Sequence, residues 1–250
     1  MKTVFITGVT AGFGEAAAKR FIKEGWRVIG TGRRLEKLNA LKAQLGELFL
    51  PLCFDVCDKQ AVFDAVSGLS AQWQNIDTLV NNAGLALGLG SFDKAELSDW
   101  ETMIDTNIKG LLYVSKAILP KFIEQQSGHI INLGSTAGTY PYPGANVYGS
   151  SKAFVNMLSL EMRADLIGKN IRVTCVEPGF CETEFAEVRF KGDLKKAKDF
   201  YQGMQALTAD DIAESIYWCA ALPKHMNINK IEMMPTRQSF AGFAVHRELD

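Results

Sequence analysis

Thr7-Gly8-Val9-Thr10-Ala11-Gly12-Phe13-Gly14 follows the short apolar run Val4-Phe5-Ile6-Thr7 and precedes helix-spaced apolar residues at 15–24. The order reads as a strand, a glycine-rich turn and a helix. The theme recurs along the chain. Further short apolar runs at 28–31, 48–52, 78–80, 129–133, 172–176 and 228–231 predict strands. They are continuous rather than alternating, as strands covered on both faces are. Helical spacing marks 35–45, 59–73, 100–122, 148–166 and 209–222, with Ser98 and Thr208 as candidate caps. Strand and helix in alternation predict an α/β fold, a doubly wound parallel sheet with helices on both faces. No linker, repeat or low-complexity tract interrupts it, so 1–250 reads as a single domain.

The composition is consistent with this. A chain of 250 residues can bury a large core without disulfides or metal. Its 27 Lys and Arg against 28 Asp and Glu leave a net charge of −1, which provides no long-range field for nucleic acid or an acidic bilayer. The start, Met1 to Thr7, is too short for a signal-peptide core, and no apolar stretch is long enough for a membrane span. A cytoplasmic protein is expected. Cys53, Cys57, Cys175, Cys181 and Cys219 show no zinc-like spacing and read as buried small hydrophobes in a reducing compartment. His129, His225 and His246 have no metal-ligand spacing either. Trp73, Trp100 and Trp218 read as packing residues, and Glu101 and Asp105 as solvent-facing or subunit-facing.

Ligands of such a sheet bind at the carboxyl ends of the strands. In the glycine turn, Gly8 permits the tight bend, Gly12 lets backbone approach a phosphate, and Gly14 allows close packing, with the pyrophosphate at the helix N-terminus. The same glycines can also be turn chemistry alone. After the second strand stands Gly30-Thr31-Gly32-Arg33-Arg34, with two guanidinium groups where an NAD site places a carboxylate. Arginine grips a ribose 2′-phosphate by charge-assisted hydrogen bonds, so NADP is expected. Farther on, Tyr148 and Lys152 share a helix face. A phenol is ionised to about one part in a thousand at pH 7, so a catalytic Tyr148 needs help. A neighbouring ammonium would lower its pKa. Ser135, directly after the strand at 129–133, offers a hydroxyl to hold a substrate oxygen.

Gly8, Gly12 and Gly14, the run Asn81-Asn82-Ala83-Gly84, Asn107, Ser135, Tyr148 with Lys152, and Pro178-Gly179 together resemble the short-chain dehydrogenase/reductase family over essentially the whole chain. The resemblance implies a Rossmann fold of about seven strands. It also implies a catalytic set of Ser135, Tyr148, Lys152 and Asn107. Arg33 and Arg34 match the basic positions of the NADP-using branch. Asp55 and Val56 match the positions flanking adenine, and Thr10, Phe13, Asn82, Ala83, Gly84 and the stretch from Pro178 and Gly179 to Thr183 match further cofactor contacts. Ala11 departs from the pattern, since many NADP-using members carry another basic residue there. The strings NNAGLALG, DWETMIDTNIKG, NVYGSSKAFV, VRFKGD and QSFAGFAVHR carry a closer resemblance to the bacterial NADP-dependent 3-hydroxy acid dehydrogenases, also described as L-allo-threonine or serine dehydrogenases.

That closer resemblance implies oxidation of the 3-hydroxyl of serine, L-allo-threonine or 3-hydroxypropionate, the last giving malonic semialdehyde. It also implies a homotetramer built partly from the helices at 100–122 and 148–166. Substrate choice is expected in 139–145, in a lid around 180–205 and in the tail, and Arg189, Lys191 or Arg237 is a candidate donor to a substrate carboxylate. Two other readings stand beside this one. One is an NADPH-dependent reductase for uncharged ketones or aldehydes. The other is a non-catalytic NADP-binding sensor, against which the joint presence of Ser135, Tyr148 and Lys152 argues.

Overall fold

The computed structural model describes residues 1–240. The tail beyond, including His246 and most of the QSFAGFAVHR string, lies outside the described residues. Seven parallel strands, β1 (Thr3–Thr7), β2 (Arg27–Gly32), β3 (Phe49–Cys53), β4 (Thr78–Asn81), β5 (Gly128–Leu133), β6 (Ile171–Pro178) and β7 (Lys230–Met233), form one sheet in the order β3-β2-β1-β4-β5-β6-β7. The direction of winding reverses between β1 and β4. This is the switch point where loops diverge and leave a crevice.

Both faces of the sheet are apolar, which accounts for the continuous runs. Val4 and Ile6 pack with Phe21, Leu38, Ile212 and Ile216 on one side. Phe5, between them, packs with Val62, Val114, Ile118 and Phe122 on the other. The first face is covered by helices α1 (Gly12–Lys23), α2 (Leu35–Leu45) and a late helix at Ala209–Ala221, the second by α3 (Lys59–Ser67) and a long helical segment at 97–124.

That long segment begins at Leu97 and is not uniform. Helix α4 (Leu97–Ile104) passes through a π-helical turn (Asp105–Gly110) into α5 (Leu111–Glu124). Its start is not capped by Ser98, because Glu96 occupies the cap position and the Ser98 carbonyl already accepts from Thr102 inside the helix. Helix α6 (Asn146–Asp165) follows β5. Two short helices the sequence periodicity did not mark, α7 (Phe185–Arg189) and α8 (Leu194–Phe200), lie between β6 and α9 (Ala209–Ala221). Thr208 does cap α9, exchanging hydrogen bonds with Asp211 in a capping box. Of the cysteines, Cys53 is exposed and Cys57 half-buried, while the other three are buried. Trp218, expected to pack, is 47% exposed on α9.

Candidate active site

The glycine turn is stitched to the loop after β4. The Thr7 hydroxyl accepts from the backbone N–H groups of Asn82 (3.0 Å) and Ala83 (2.9 Å), and Asn82 Nδ2 donates back to the carbonyls of Thr7 (2.8 Å) and Gly8 (3.1 Å). Gly8 and Gly12 have φ of +72° and +53°, a region costly to side chains. Gly14 serves differently, because a Cβ there would stand 2.2 Å from the Gly8 carbonyl oxygen. Its missing side chain lets α1 start directly beneath the turn, with Phe13 packed on the core.

At the end of β2 both arginines point toward the same crevice. Arg34 donates to the Thr10 hydroxyl (3.0 Å) and carbonyl (2.9 Å) and pairs with Glu184 at 2.9 Å. Arg33 makes only a 3.3 Å contact with Asp55, and its side chain is 66% exposed. Asp55 is fixed by a bond from the Cys57 N–H at 2.9 Å. Val56 is buried against Gly110, where a Cβ would stand 2.7 Å from Val56 Cγ2.

Ser135, Tyr148 and Lys152 meet on the cavity wall. Ser135 follows β5, accepts from the Ala137 N–H at 3.1 Å and lies within hydrogen-bonding reach of the Tyr148 phenol. One turn along α6, Lys152 Nζ donates to the Leu133 carbonyl at 2.7 Å and sits 6.0 Å from the Tyr148 ring centroid. The electrostatics differ from the expected lowering of the tyrosine pKa. Burial pushes the Tyr148 phenol up to about 12, opposed by the Ser135 hydrogen bond and the charge of Arg189. Lys152, equally buried, is pushed down to about 8. The lysine spends its short hydrogen bond on Leu133, and desolvation dominates both groups.

Asn107 stands behind the wall rather than on it. The π-helical turn aims it inward, where Oδ1 accepts from the Leu85 N–H (2.9 Å) and Nδ2 donates to the Leu85 carbonyl (2.9 Å) and Ser151 Oγ (3.0 Å). A Cβ on Gly84 would lie 3.2 Å from Asn107 Oδ1 and 3.5 Å from Lys152 Nζ, so the bare glycine keeps open the space between them.

These pieces border one cavity of about 640 Å³, running past Thr10, Gly12, Arg33 and Asn82 to Ser135 and Tyr148. The residues fit a phosphorylated dinucleotide. Gly12 and the start of α1 leave the wall open to a phosphate, two guanidiniums stand where a ribose phosphate would lie, and Pro178, Gly179 and Thr183 form the opposite rim.

Residues 2–193 match the family model described as short chain dehydrogenase. The chain belongs to that family. Among relatives of this short chain dehydrogenase, the NADP-dependent 3-hydroxy acid dehydrogenase YdfG of Salmonella typhi is 56% identical over 245 residues, covering 98% of this chain and 99% of the relative. The serine 3-dehydrogenase of Rhizobium radiobacter is 54% identical over 246 residues, 98% of each. The closed form of serine dehydrogenase complexed with NADP+ superposes with a TM-score of 0.97 at 53% identity, covering 98% of this chain and 100% of that one.

Three residues that border the short chain dehydrogenase cavity were not singled out in the sequence. Glu184 reaches Arg34, Tyr142 meets Arg189, and Gln238 Oε1 accepts from the Phe180 N–H at 2.8 Å. Tyr142 falls within the 139–145 stretch expected to govern substrate choice. Glu184 falls within the expected lid and Gln238 opens the expected tail, but neither stands out as a residue, because each gains its partner from a distant segment.

Proposed function

We propose that this protein is an NADP-dependent oxidoreductase that transfers hydride between NADP(H) and the 3-hydroxyl of small 3-hydroxy acids of the serine, L-allo-threonine and 3-hydroxypropionate type. The observation that carries it is one cavity with the Ser135, Tyr148 and Lys152 side chains on its wall and a pair of arginines, without an acid, at the end of β2. The names of relatives at 54–56% identity support the substrate class.

Ser135 holds the substrate oxygen, and Tyr148 as phenolate takes the hydroxyl proton. Lys152 holds the nicotinamide ribose and keeps positive charge near the phenol, and Asn107 links it toward solvent. Arg33 and Arg34 hold the 2′-phosphate, Asp55 and Val56 flank the adenine, and Gly8, Thr10, Gly12, Phe13, Gly14, Asn82, Ala83, Gly84, Gly179 and Thr183 shape or touch the rest of the cofactor path. When bound, NADP+ supplies a positively charged ring that accepts the hydride from the carbinol carbon.

The segment 180–205, with α7 and α8, acts as a lid on a single domain. A homotetramer forms through α5 and α6, where Leu112, Phe154, Met157 and Leu160 are exposed at 37, 36, 58 and 49%. No helix among the described residues is long and apolar enough to cross a membrane.

NADPH appearance from NADP+ with L-serine or 3-hydroxypropionate tests the reading. Tight NADPH binding without turnover across a panel of hydroxy acids would make the protein a sensor. Equal kcat/KM for malonic semialdehyde and an uncharged aldehyde would make it a general carbonyl reductase.

A further inference from the structure

Arg189 ends α7 and is only 3% exposed. Its Nε donates to the Gly88 carbonyl at 3.1 Å and its Nη1 to the Tyr142 hydroxyl at 3.0 Å. The third nitrogen, Nη2, is buried without a partner. Among the described residues no carboxylate pairs with this guanidinium, whereas Arg33 and Arg34 on the cavity wall each have one and Lys152 gives its ammonium to the Leu133 carbonyl. A buried full charge with a spare donor and no counter-ion is costly, and an anion arriving from outside relieves that cost.

The position of the charge narrows the ligand. The Arg189 guanidinium carbon lies 5.5 Å from the Tyr148 ring centroid and 5.6 Å from that of Tyr142, and all three residues line the cavity. Because Tyr142 Oη accepts from Nη1, its own proton remains available to a ligand. The Oη–H, backed by the guanidinium charge, suits a carboxylate oxygen, and the unpartnered Nη2–H stands behind it, sealed from solvent. The other candidate cations are excluded. Lys191 is ion-paired with Asp99 at 2.8 Å, and Arg237 is exposed and off the cavity wall.

We propose that Arg189, together with the Tyr142 hydroxyl, anchors the substrate carboxylate and so restricts oxidation to alcohols whose hydroxyl lies a short chain away from an acid. This rests on Tyr148 acting at the substrate hydroxyl, as set out above. The charge of Arg189 also bears on Tyr148 itself, so the test must separate anchoring from a general effect on the base.

The comparison is of 3-hydroxypropionate with 3-hydroxypropionamide as substrates for the wild type, Arg189→Gln, Arg189→Lys and Tyr142→Phe. In Arg189→Gln the ratio of kcat/KM for acid over amide should fall roughly 100-fold, mostly through the KM of the acid. Arg189→Lys should recover part of it, and Tyr142→Phe should lose about tenfold. NADPH affinity should match the wild type in all three. An equal fall on acid and amide, or a parallel loss of NADPH affinity, would overturn the assignment.

Malonate, titrated calorimetrically into the NADP+-loaded protein, gives a readout independent of turnover. If the wild type oxidises no hydroxy acid yet binds malonate through Arg189, the dehydrogenase reading fails and the anchor stands. If Arg189→Gln oxidises 3-hydroxypropionate as well as the wild type does, the anchor fails and the dehydrogenase reading stands. Should Arg189→Gln not fold, the Lys and Tyr142→Phe variants decide by the same ratio.

Discussion

Arg34 and Glu184, 150 positions apart, pair at 2.9 Å and join the end of β2 to the segment after β6. Glu184 also takes Lys37 at 2.7 Å. Burial works to raise its pKa, but the bonds from Lys37 and Arg34 outweigh this and hold it below the usual value. Arg34 is therefore engaged on the protein through Thr10 and Glu184, whereas Arg33, on one long contact with Asp55, is free to turn onto a phosphate.

This difference makes Arg33→Ala the clean probe of cofactor choice. Losing one charge-assisted bond costs about 1.5–3 kcal/mol, which predicts a 10- to 100-fold fall in kcat/KM for NADP+. NAD+ kinetics and Tm should barely change. Arg34→Ala should show the same loss and a lower Tm as well, because it also unfastens Thr10 and Glu184. Steady-state kinetics with both nucleotides and a thermal melt check the pair, and an Arg33→Ala enzyme with unchanged NADP+ preference would contradict the 2′-phosphate role.

The glycine turn offers a purely steric test. In Gly14→Ala the new methyl meets the Gly8 oxygen at 2.2 Å and Asn82 Nδ2 at 2.5 Å, and α1 must shift to admit it. Overpacking of this kind costs about 3 kcal/mol. For a chain of this size that corresponds to a Tm lower by roughly 10 °C, accompanied by weakened NADPH binding. Gly25→Ala is the control. It has open space around it and bears only the strain of its φ of +75°, about 1–2 kcal/mol, with no effect on the nucleotide.

The strands, the glycine turn and the shared face of Tyr148 and Lys152 were legible because each depends on local spacing. What depends on contacts between distant segments was not. The last strand was expected at 228–231 and lies at Lys230–Met233, because the Asn227 side chain takes the place of strand backbone, accepting from the Val173 N–H (2.7 Å) and donating to its carbonyl (3.0 Å). The π-helical turn that aims Asn107 inward leaves the apolar periodicity of 100–122 almost untouched, so the segment reads as one helix. What separates Arg189 from Lys191 and Arg237 is spatial: Lys191 is paired with Asp99, and Arg237 is exposed and off the cavity wall.

Assembly is tested on α6. Phe154, Met157 and Leu160 lie at helical spacing and all are exposed, an apolar strip that a lone chain would leave in water. Wild-type protein should sediment at four times the 27.5 kDa chain mass, and Leu160→Glu should give smaller species while the chain remains folded by circular dichroism. A wild-type monomer would rule out the tetramer.

Tyr148→Phe removes the proposed base without changing the shape of the cavity. Turnover should fall roughly 10³-fold with NADPH binding retained, and substantial residual activity would refute the role. Ser135→Ala has a signed consequence. The Ser135 hydrogen bond holds the phenol pKa down against burial, so its loss should move the alkaline rise of the oxidation rate to higher pH as well as lowering the rate.

Lys152 links function to stability. Its ammonium is buried, its pKa is about 8 against an ordinary 10.5, and its one hydrogen bond goes to Leu133. Below pH 8 both folded and unfolded chains hold the proton, and the fold bears the full desolvation cost, about 3 kcal/mol at about 1.4 kcal/mol per unit. Between pH 8 and 10.5 the unfolded chain binds the proton and the folded one does not, so stability rises with pH and the cost disappears. Lys152→Met escapes that cost but strands the Leu133 carbonyl, a loss of about 1–3 kcal/mol at any pH. The variant should therefore be inactive and, at pH 7, equal to or slightly above the wild type in Tm. It should then fall progressively below the wild type as pH rises from 8 to 10. Melting both proteins across that range decides the matter, and a Tm difference independent of pH would mean that Lys152 does not titrate there.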